Sequence, residues 1–462
     1  MTSPANTTPE HTLWVERLAL TNFRNYAAVT LDVGPEPQVI AGSNGSGKTN
    51  LLEALSLLAP GQGLRRAAFS DIPRGGGDGG FAVAARVHTL NGAADIGTGL
   101  RPGGTSSSAP GSALDFTAGH LSGGGPGGCG EGDEEGHSNK LLPLNDETLP
   151  HPRRALSPLS AGMGRGSTPG ARERDRPSER TGRIVRIDGV AQSGSGVLAD
   201  YLEIVWVTPA MDGLFTGPAS ERRRFLDRLI LCFDPAYRTI AGRFERAMTA
   251  RNRLLADGVR DNAQLAGFEL QMAETGVAVA AARLEAVSAM SAIIRTRKAR
   301  DAASAFPWCT FALEGSLEAD LAALPAVEAE DRYAAVLRTT RERDRGAGRT
   351  LDGPHRSDLA VEHGPKQIAA RLCSTGEQKA LLLGLVLAHA ELLTERQEGA
   401  APILLLDEIT AHLDAHRRAA LFDEILRLKA QAWMTGTDKA AFDALQGRAQ
   451  FWAVEEGAVV KG

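Results

Sequence analysis

A glycine-rich loop near the N-terminus constrains the fold of this chain more than any other feature. The segment Gly42-Ser43-Asn44-Gly45-Ser46-Gly47-Lys48-Thr49 follows Gln38-Val39-Ile40-Ala41, which is typical of a buried strand. It precedes residues 50–58, where the spacing of apolar residues predicts an amphipathic helix. A loop of this composition between a strand and a helix is typical of phosphate binding. The sequence therefore predicts an α/β fold that holds a nucleotide.

Individual residues of this loop have distinct predicted roles. Backbone N–H groups of the loop are free to surround phosphate oxygens, and the positive end of the following helix adds to the attraction. Lys48 is expected to reach the β- and γ-phosphates, and the Thr49 hydroxyl to bind Mg²⁺. The predicted nucleotide contacts here are Gly42, Ser43, Asn44, Gly45, Ser46, Gly47, Lys48, Thr49 and Asn50.

Two consecutive carboxylates far down the chain complete the predicted site. Asp407 and Glu408 follow Ile403-Leu404-Leu405-Leu406, the pattern of a central parallel strand whose C-terminal end opens onto the nucleotide. We expect Asp407 to hold Mg²⁺ and Glu408 to act as the general base that activates water. The predicted catalytic residues are therefore Glu408, Asp407 and Lys48, and the predicted metal ligands are Thr49 and Asp407.

The segment Ser374-Thr375-Gly376-Glu377-Gln378 resembles the element with which ABC-class ATPases cap the nucleotide of a second subunit. That resemblance implies nucleotide contacts from Ser374, Gly376 and Glu377, and hence an ATP-dependent homodimer. Ala411-His412-Leu413-Asp414 looks like the loop in which an aspartate, here Asp414, couples the two sites. ABC ATPases sense the γ-phosphate with a histidine after the next strand; here only Thr435 or Thr437 is available for that role.

Composition limits the remaining choices. The chain has 462 residues, of which 42% are hydrophobic and 23% charged, as is usual for a globular protein. No uninterrupted apolar stretch is long enough to cross a bilayer, and the first eleven residues lack the pattern of a signal peptide. The four scattered cysteines suggest neither zinc nor disulfides. We therefore expect a cytoplasmic protein without a membrane partner.

Charge alone does not decide whether DNA is a partner. The net charge of −5 gives no support, but basic residues concentrate in the middle of the chain, at residues 222–224, 243–253 and 295–300. Such runs more often form a solvated helix face.

Changes in composition divide the chain into five predicted segments. Residues 12–97 form the N-terminal part of an ATPase head, and residues 98–182, rich in Gly, Ser and Pro, form a disordered insertion between neighbouring strands. The head continues over 183–218, where residues 184–187 are predicted to form a strand, and a helical lid follows over 219–345. Near the end of the lid, residues 308–313 are predicted to form a strand and residues 331–343 a helix. Residues 346–462 complete the head with the Ser374 element and Asp407. The insertion is interpreted as a tolerated surface loop in preference to a partner-binding tail.

Several further motifs show a family resemblance. These are Thr21-Asn22-Phe23-Arg24-Asn25-Tyr26, Arg222-Arg223-Arg224-Phe225-Leu226-Asp227 and Gly353-Pro354-His355-Arg356-Ser357-Asp358. With the nucleotide motifs they resemble the RecF family of recombination mediators, over nearly all of the chain except the N-terminus and residues 101–180. The resemblance implies an ABC/SMC-like P-loop ATPase head with an inserted helical lid.

For function, the resemblance implies slow ATP hydrolysis that acts as a switch for DNA binding. It further implies binding of gapped DNA at single-strand/double-strand junctions, and loading of RecA together with RecR, with or without RecO. These properties would place the protein in DNA repair, replication restart and the SOS response.

The roles of the arginines stay open at this level. Arg65, Arg66 and Arg223 are candidate DNA contacts, and Arg222 to Arg224 either line the DNA path or pack under the lid. Arg24 either contacts nucleotide or DNA or is a surface residue. His355 and Arg356 either serve an interface or, for Arg356, form an ion pair with Asp358 or another acid.

Two other classes of protein compete with this interpretation. An SMC-like ATPase that tethers DNA would need long coiled-coil arms, which the short helical middle does not supply. A transporter ATPase would place the Ser374 element much nearer to the phosphate loop.

Overall fold

The computed structural model describes residues 13–101, 183–258, 261–301 and 304–462. Its strands are β1 (Trp14–Phe23), β2 (Tyr26–Asp32), β3 (Gln38–Ala41), β4 (Phe81–Thr89), β5 (Gly92–Leu100), β6 (Ile184–Ile187), β7 (Val190–Ala191), β8 (Ile204–Val207), β9 (Cys309–Glu314), β10 (Asp358–His363), β11 (Ile368–Ala369), β12 (Ile403–Leu406), β13 (Ala432–Gly436), β14 (Gln450–Glu455) and β15 (Ala458–Lys461). Its α-helices are α1 (Lys48–Ser56), α2 (Ala219–Leu231), α3 (Ala236–Ala256), α4 (Asn262–Arg300), α5 (Ser316–Ala323), α6 (Ala326–Thr339), α7 (Arg341–Ala347), α8 (Thr375–Arg396) and α9 (Ala415–Leu428). From position 102 onward, the predicted disordered insertion 98–182 lies outside the described residues.

A mostly parallel sheet carries the two halves of the predicted nucleotide site. Its order is β15-β14-β3-β13-β12-β8, and all strands are parallel to their neighbours except β15. All four residues of β12 are buried, because a central parallel strand is covered on both faces. Leu404 and Leu406 join the core on one face, while Ile403 and Leu405 join the core on the other.

Helix α1 lies between this sheet and a second, antiparallel one. The second sheet has the order β2-β1-β4-β5-β6-β7. Leu51, Leu52 and Leu55 of α1 are fully buried among residues of both sheets. The predicted insertion leaves from β5 and returns at β6, and these strands pair antiparallel with Ile96 opposite Ile187. The prediction that the insertion joins neighbouring strands is thus confirmed.

The region between the two halves of the ATPase is mainly helical. Helices α3, α4, α5 and α6 share a core of their own, while α8 and α9 cover the open face of the parallel sheet. The single helix that the sequence predicts over residues 331–343 is wrong, since α6 ends at Thr339 and α7 begins at Arg341. The strand predicted near Trp308 is β9, and it pairs with β10.

Helix α4 qualifies the expectation about membranes. Its 39 residues make it long and apolar enough to cross a bilayer by length and composition, within the part of the chain that the structure describes. Half of its most apolar window is buried inside the protein, with Met272, Ala280 and Met290 at most 1% exposed. The core helix of a globular protein passes the same test, so this helix gives only weak support for a membrane span.

Candidate functional site

The ends of three adjacent strands bring the two halves of the predicted site together. The glycine-rich loop follows β3, Asp407 and Glu408 follow β12, and β13 lies between these strands. C-terminal ends of parallel strands meet at one edge of a sheet. Here the Thr49 hydroxyl donates to both oxygens of the Asp407 carboxylate, at 2.9 and 3.1 Å. Residues that are 358 positions apart in sequence therefore touch.

The oxygen atoms at this contact fit a magnesium ion. A hydroxyl and a carboxylate are hard oxygen ligands, and Mg²⁺ prefers them to nitrogen or sulfur. Thr49 and Asp407 are therefore the residues that would hold the ion, as the sequence predicts. Asp407 is nearly buried, and this limits the directions from which its carboxylate is reached.

Thr435 supports both carboxylate residues. Its hydroxyl donates to Asp407 Oδ1 at 2.7 Å and accepts from the Glu408 backbone N–H at 2.8 Å. The side chain is completely buried. Of the two threonines considered as γ-phosphate sensors, Thr435 is thus engaged with Asp407, whereas Thr437 is exposed.

Lys48 is folded onto its own loop. Its ammonium donates to the carbonyl oxygens of Gly42 and Ser43, both at 2.8 Å, and the side chain is 4% exposed. Burial lowers its pKa, and the negative charges of Glu408 and Asp407 oppose that shift. A lysine held here is a point charge that phosphate oxygens can approach.

Two residues brace the phosphate loop from outside it. The Tyr26 hydroxyl donates to the carbonyl of Gly47 at 3.0 Å, and the Asn25 amide donates to the carbonyl of Ser46 at 3.0 Å. Gly47 has a φ of 118°, and a Cβ there would lie 2.4 Å from Asn25 Nδ2. Only glycine therefore fits. The sequence motif containing Asn25 and Tyr26 was visible, but its contact with the loop was not.

Glu408 has an uncommon backbone conformation. Its φ of 48° lies in the left-handed region, which residues other than glycine rarely adopt. Such residues are found preferentially at functional sites. Lys379 of α8 approaches the Glu408 carbonyl and the Asp212 carboxylate, both at 3.4 Å, and is 1% exposed. The sequence analysis does not single out Lys379, which joins helix α8 to the segment that contains Glu408.

The predicted nucleotide-capping element forms the N-terminus of α8. Ser374 is the N-cap, and the Glu377 carboxylate accepts from its backbone N–H at 3.1 Å and from its hydroxyl at 3.0 Å. Lys366 Nζ lies 2.5 Å from Glu377. The Lys366 ammonium, followed by the Ser374 N–H, lowers the pKa of Glu377 to about 2. Glu377 therefore acts within its own subunit as the group that orients Ser374.

Gly376 and Asp414 lie near one another at this end of α8. A Cβ on Gly376 would lie 3.1 Å from the His412 carbonyl oxygen, so a larger residue would press on that loop. Asp414 caps α9, accepting from the Arg417 N–H at 2.8 Å. The capping element therefore packs against the 411–414 loop.

Two of the arginines near α1 form ion pairs with a buried acid. Glu53 is 2% exposed and pairs with Arg24 at 2.5 Å and with Arg65 at 2.9 Å. Arg65 also donates to Asn50 at 2.6 Å. Arg24 is thus the partner of a buried acid, and Arg65 still exposes 39% of its side chain. Arg66 is exposed and lines a cavity beside Thr49.

The two family-specific motifs pack against each other. Arg222 forms a bidentate pair with Asp358 at 2.7 and 2.8 Å, and Arg223 donates to the Ser357 carbonyl at 2.5 Å. The suggested Arg356–Asp358 pair is therefore wrong, because Arg222 occupies that carboxylate from α2. Arg223 is partly buried by this contact, and its DNA role stays a prediction.

Asp227, the acid at the end of the motif at residues 222–227, also forms contacts inside the protein. Asp227 pairs with Arg283 of α4 at 2.8 Å and accepts from Tyr237 at 2.6 Å. Nearby, His355 Nε2 lies 3.0 Å from the Thr350 carbonyl, and burial lowers the pKa of His355. These contacts fasten the helical region to the turn before β10.

Comparison with known proteins places these motifs in a family. Residues 17–79 match the family described as AAA domain. The DNA replication and repair protein RecF of Mesorhizobium japonicum is 46% identical over 445 residues, covering 96% of this chain and 97% of its own. The chain belongs to the RecF family. RecF of Brucella suis is 46% identical over 444 residues, with 96% and 95% covered, and RecF of Rhizobium meliloti is 43% identical over 449 residues, with 97% and 99% covered.

Solved structures agree on the fold. The chain resembles the recombination mediator protein RecF-ATPrS of the RecFOR pathway with a TM-score of 0.72 at 18% identity, covering 98% of both chains. The RecF-ATP structure of the same pathway gives a TM-score of 0.70. The predicted fold class, an α/β ABC/SMC-like P-loop ATPase head with an inserted helical lid, is therefore confirmed.

Proposed function

We propose that this RecF-family chain is an ATP-dependent DNA-binding recombination mediator. It dimerises on ATP, binds gapped DNA at single-strand/double-strand junctions, and assists RecR, with or without RecO, in loading RecA during DNA repair and replication restart. The contact of Thr49 with Asp407, fixed by Thr435, carries the proposal, because it assembles a phosphate loop, a metal-binding pair and the Glu408 base. Family membership supports a role in DNA replication and repair. We place this role in the cytoplasm and in the SOS response as part of the same proposal.

Hydrolysis follows from the positions of these side chains. Thr49 and Asp407 would hold Mg²⁺, which when bound would supply positive charge to balance the negative charge of the phosphates. Lys48 leaves the Gly42 and Ser43 carbonyls and pairs with the γ-phosphate. Glu408 accepts a proton from water while the water oxygen bonds to the γ-phosphorus. The bond from that phosphorus to the bridging oxygen breaks, which gives ADP and phosphate.

The dimer depends on the N-terminus of α8. Ser374 caps this terminus and Gly376 lies in its first turn, and helix N-termini favour anions because their first N–H groups have no partner within the helix. We propose that they contact the γ-phosphate held by a second copy, so that ATP forms part of the interface. ADP lacks the γ-phosphate and so loses this contact, and slow hydrolysis then acts as a timer that releases DNA.

The proposal is tested by the mass of the purified protein in light scattering. We expect a monomer without nucleotide or with ADP, and a dimer with ATP and Mg²⁺ that is stabilised further by gapped DNA. Blunt duplex of equal length is the DNA control. Lys48→Ala, which removes the ammonium group expected to bind the phosphates, is the protein control. A protein that stays monomeric with ATP on gapped DNA would contradict the ATP-dependent dimer.

Lys366 provides a prediction about the interface. Lys366→Met is expected to weaken the ATP-induced dimer by about tenfold, because an uncompensated Glu377 carboxylate would face the incoming γ-phosphate. Glu377→Gln removes that charge, so the double variant should regain most of the lost affinity. The measurement is the dimer dissociation constant in ATP, with exposed Lys429→Met as the control. Equal losses in the single and double variants would refute charge compensation.

A further inference from the structure

The cavity beside Thr49 adjoins the end of the phosphate loop that would bind the metal. It has a volume of about 530 Å³, and Thr49 and Asp407 line one part of its wall. Four arginines, Arg65, Arg66, Arg224 and Arg228, and one further carboxylate, Glu221, line other parts. Arg65 is paired with Glu53 at 2.9 Å, so three guanidinium groups remain for a ligand.

Among these residues, Arg228 gives the strongest indication that the cavity binds an anion. Its guanidinium carbon lies over the rings of Trp206, at 4.8 Å, and Phe225, at 5.5 Å. Its hydrogen-bond contacts are long, 3.4 Å to the Trp206 carbonyl and 3.5 Å to Met211 Sδ. Within the described ranges it forms no ion pair with a carboxylate. A partly buried cation without a counter-ion is unfavourable, so an anion that enters the cavity would be held by Arg228.

Neighbouring charges strengthen this conclusion. Burial, with a smaller contribution from the positive charge of Arg66, lowers the pKa of Arg228 to about 10. Two guanidinium groups close enough to repel each other are stabilised when an anion binds between them. Arg66 and Arg224 have no ion-pair partner in the part of the chain that the structure describes. Thr49 and Asp407, the residues that would hold the metal, also line this cavity, so the product phosphate would form beside it.

We propose that this cavity binds the phosphate ion that leaves the γ-position, through Arg66, Arg224 and Arg228. The inference rests on the proposed ATP hydrolysis. The protein then holds ADP and phosphate together before it releases them.

Equilibrium dialysis of ADP-loaded protein against radiolabelled inorganic phosphate tests the site directly. We expect saturable binding, weakened about tenfold by Arg66→Gln and by Arg224→Gln, since each removes one charge-assisted contact. Exposed Arg243→Gln is the charge-matched control and should bind as the unaltered protein does. No binding, or binding lost in Lys48→Ala but unchanged in both arginine variants, would overturn the proposal by placing phosphate at the loop alone.

Single-turnover kinetics distinguishes failure of the site from failure of the proposed function. ADP formation is followed by chemical quench and phosphate release by a fluorescent phosphate sensor. Release is expected to lag behind ADP formation, and the lag should be shorter in Arg66→Gln and Arg224→Gln than in Arg243→Gln. Release that coincides with ADP formation in every protein overturns the cavity. Absence of ADP formation overturns the proposed hydrolysis, while the dialysis result still tests the cavity.

Discussion

Replacing Glu408 by glutamine is expected to lower the rate of ATP hydrolysis by about 100- to 10,000-fold, the usual contribution of a general base. Glutamine has nearly the same shape but cannot accept the proton from water. Binding of ATP should change little, because Lys48 and the loop contact the phosphates independently. The measurement is ADP formation in a single turnover with protein in excess, together with ATP affinity.

Glu398→Gln is a matched control for this substitution. Glu398 is exposed and also has a left-handed backbone, with a φ of 51° against 48° at Glu408. It therefore loses the same charge at the same backbone conformation, but it lies before strand β12, whereas Glu408 follows the C-terminal end of that strand. A normal rate in Glu408→Gln would assign the base to another group, and an equal loss in both variants would indicate a general effect of charge.

Replacing Arg251 by methionine is expected to destabilise the helical region by about 3–5 kcal/mol, as when one partner of a buried ion pair is removed. Arg251 is completely buried and pairs with Asp344 at 2.8 Å and Glu269 at 3.1 Å. It also donates to Thr350 at 2.9 Å and to the Leu337 carbonyl at 2.6 Å. Methionine leaves these acceptors without that donor.

Urea unfolding followed by circular dichroism measures this loss. Arg253→Met is the control, since Arg253 lies on the same helix but its side chain is 85% exposed. Its expected effect is within about 0.5 kcal/mol, as for most surface substitutions. If Arg251→Met unfolds at the same urea concentration as the control, the buried network does not contribute to stability.

Local patterns predicted the elements around the nucleotide well. Strand β3 has the predicted bounds, and β6 coincides with the predicted strand at Ile184–Ile187. Helix α1 begins at Lys48, two residues before the prediction. These segments combine strong apolar periodicity with an unambiguous glycine-rich turn, and both signals lie within a short window of sequence.

The helical region was predicted less accurately. The break at Thr340 between α6 and α7 has no proline or glycine to mark it. The buried Asp344 and its contact with Arg251, 93 residues earlier, hold α7 in place instead. Such a contact between distant residues leaves no periodic signal in the sequence around Thr340.

By itself, the sequence determined the phosphate loop, the Asp407–Glu408 pair and the resemblance to the RecF family, because each rests on short patterns with their own chemistry. Only the tertiary structure decided what the other polar groups do. It shows that Thr435 hydrogen-bonds to Asp407 and that Ser374 hydrogen-bonds to Glu377. It also shows that Asp358 pairs with Arg222 and not with Arg356. Any of these acids and donors has many chemically equivalent partners in the sequence. The choice is made by which strand ends and helix termini the packed core brings within hydrogen-bonding distance.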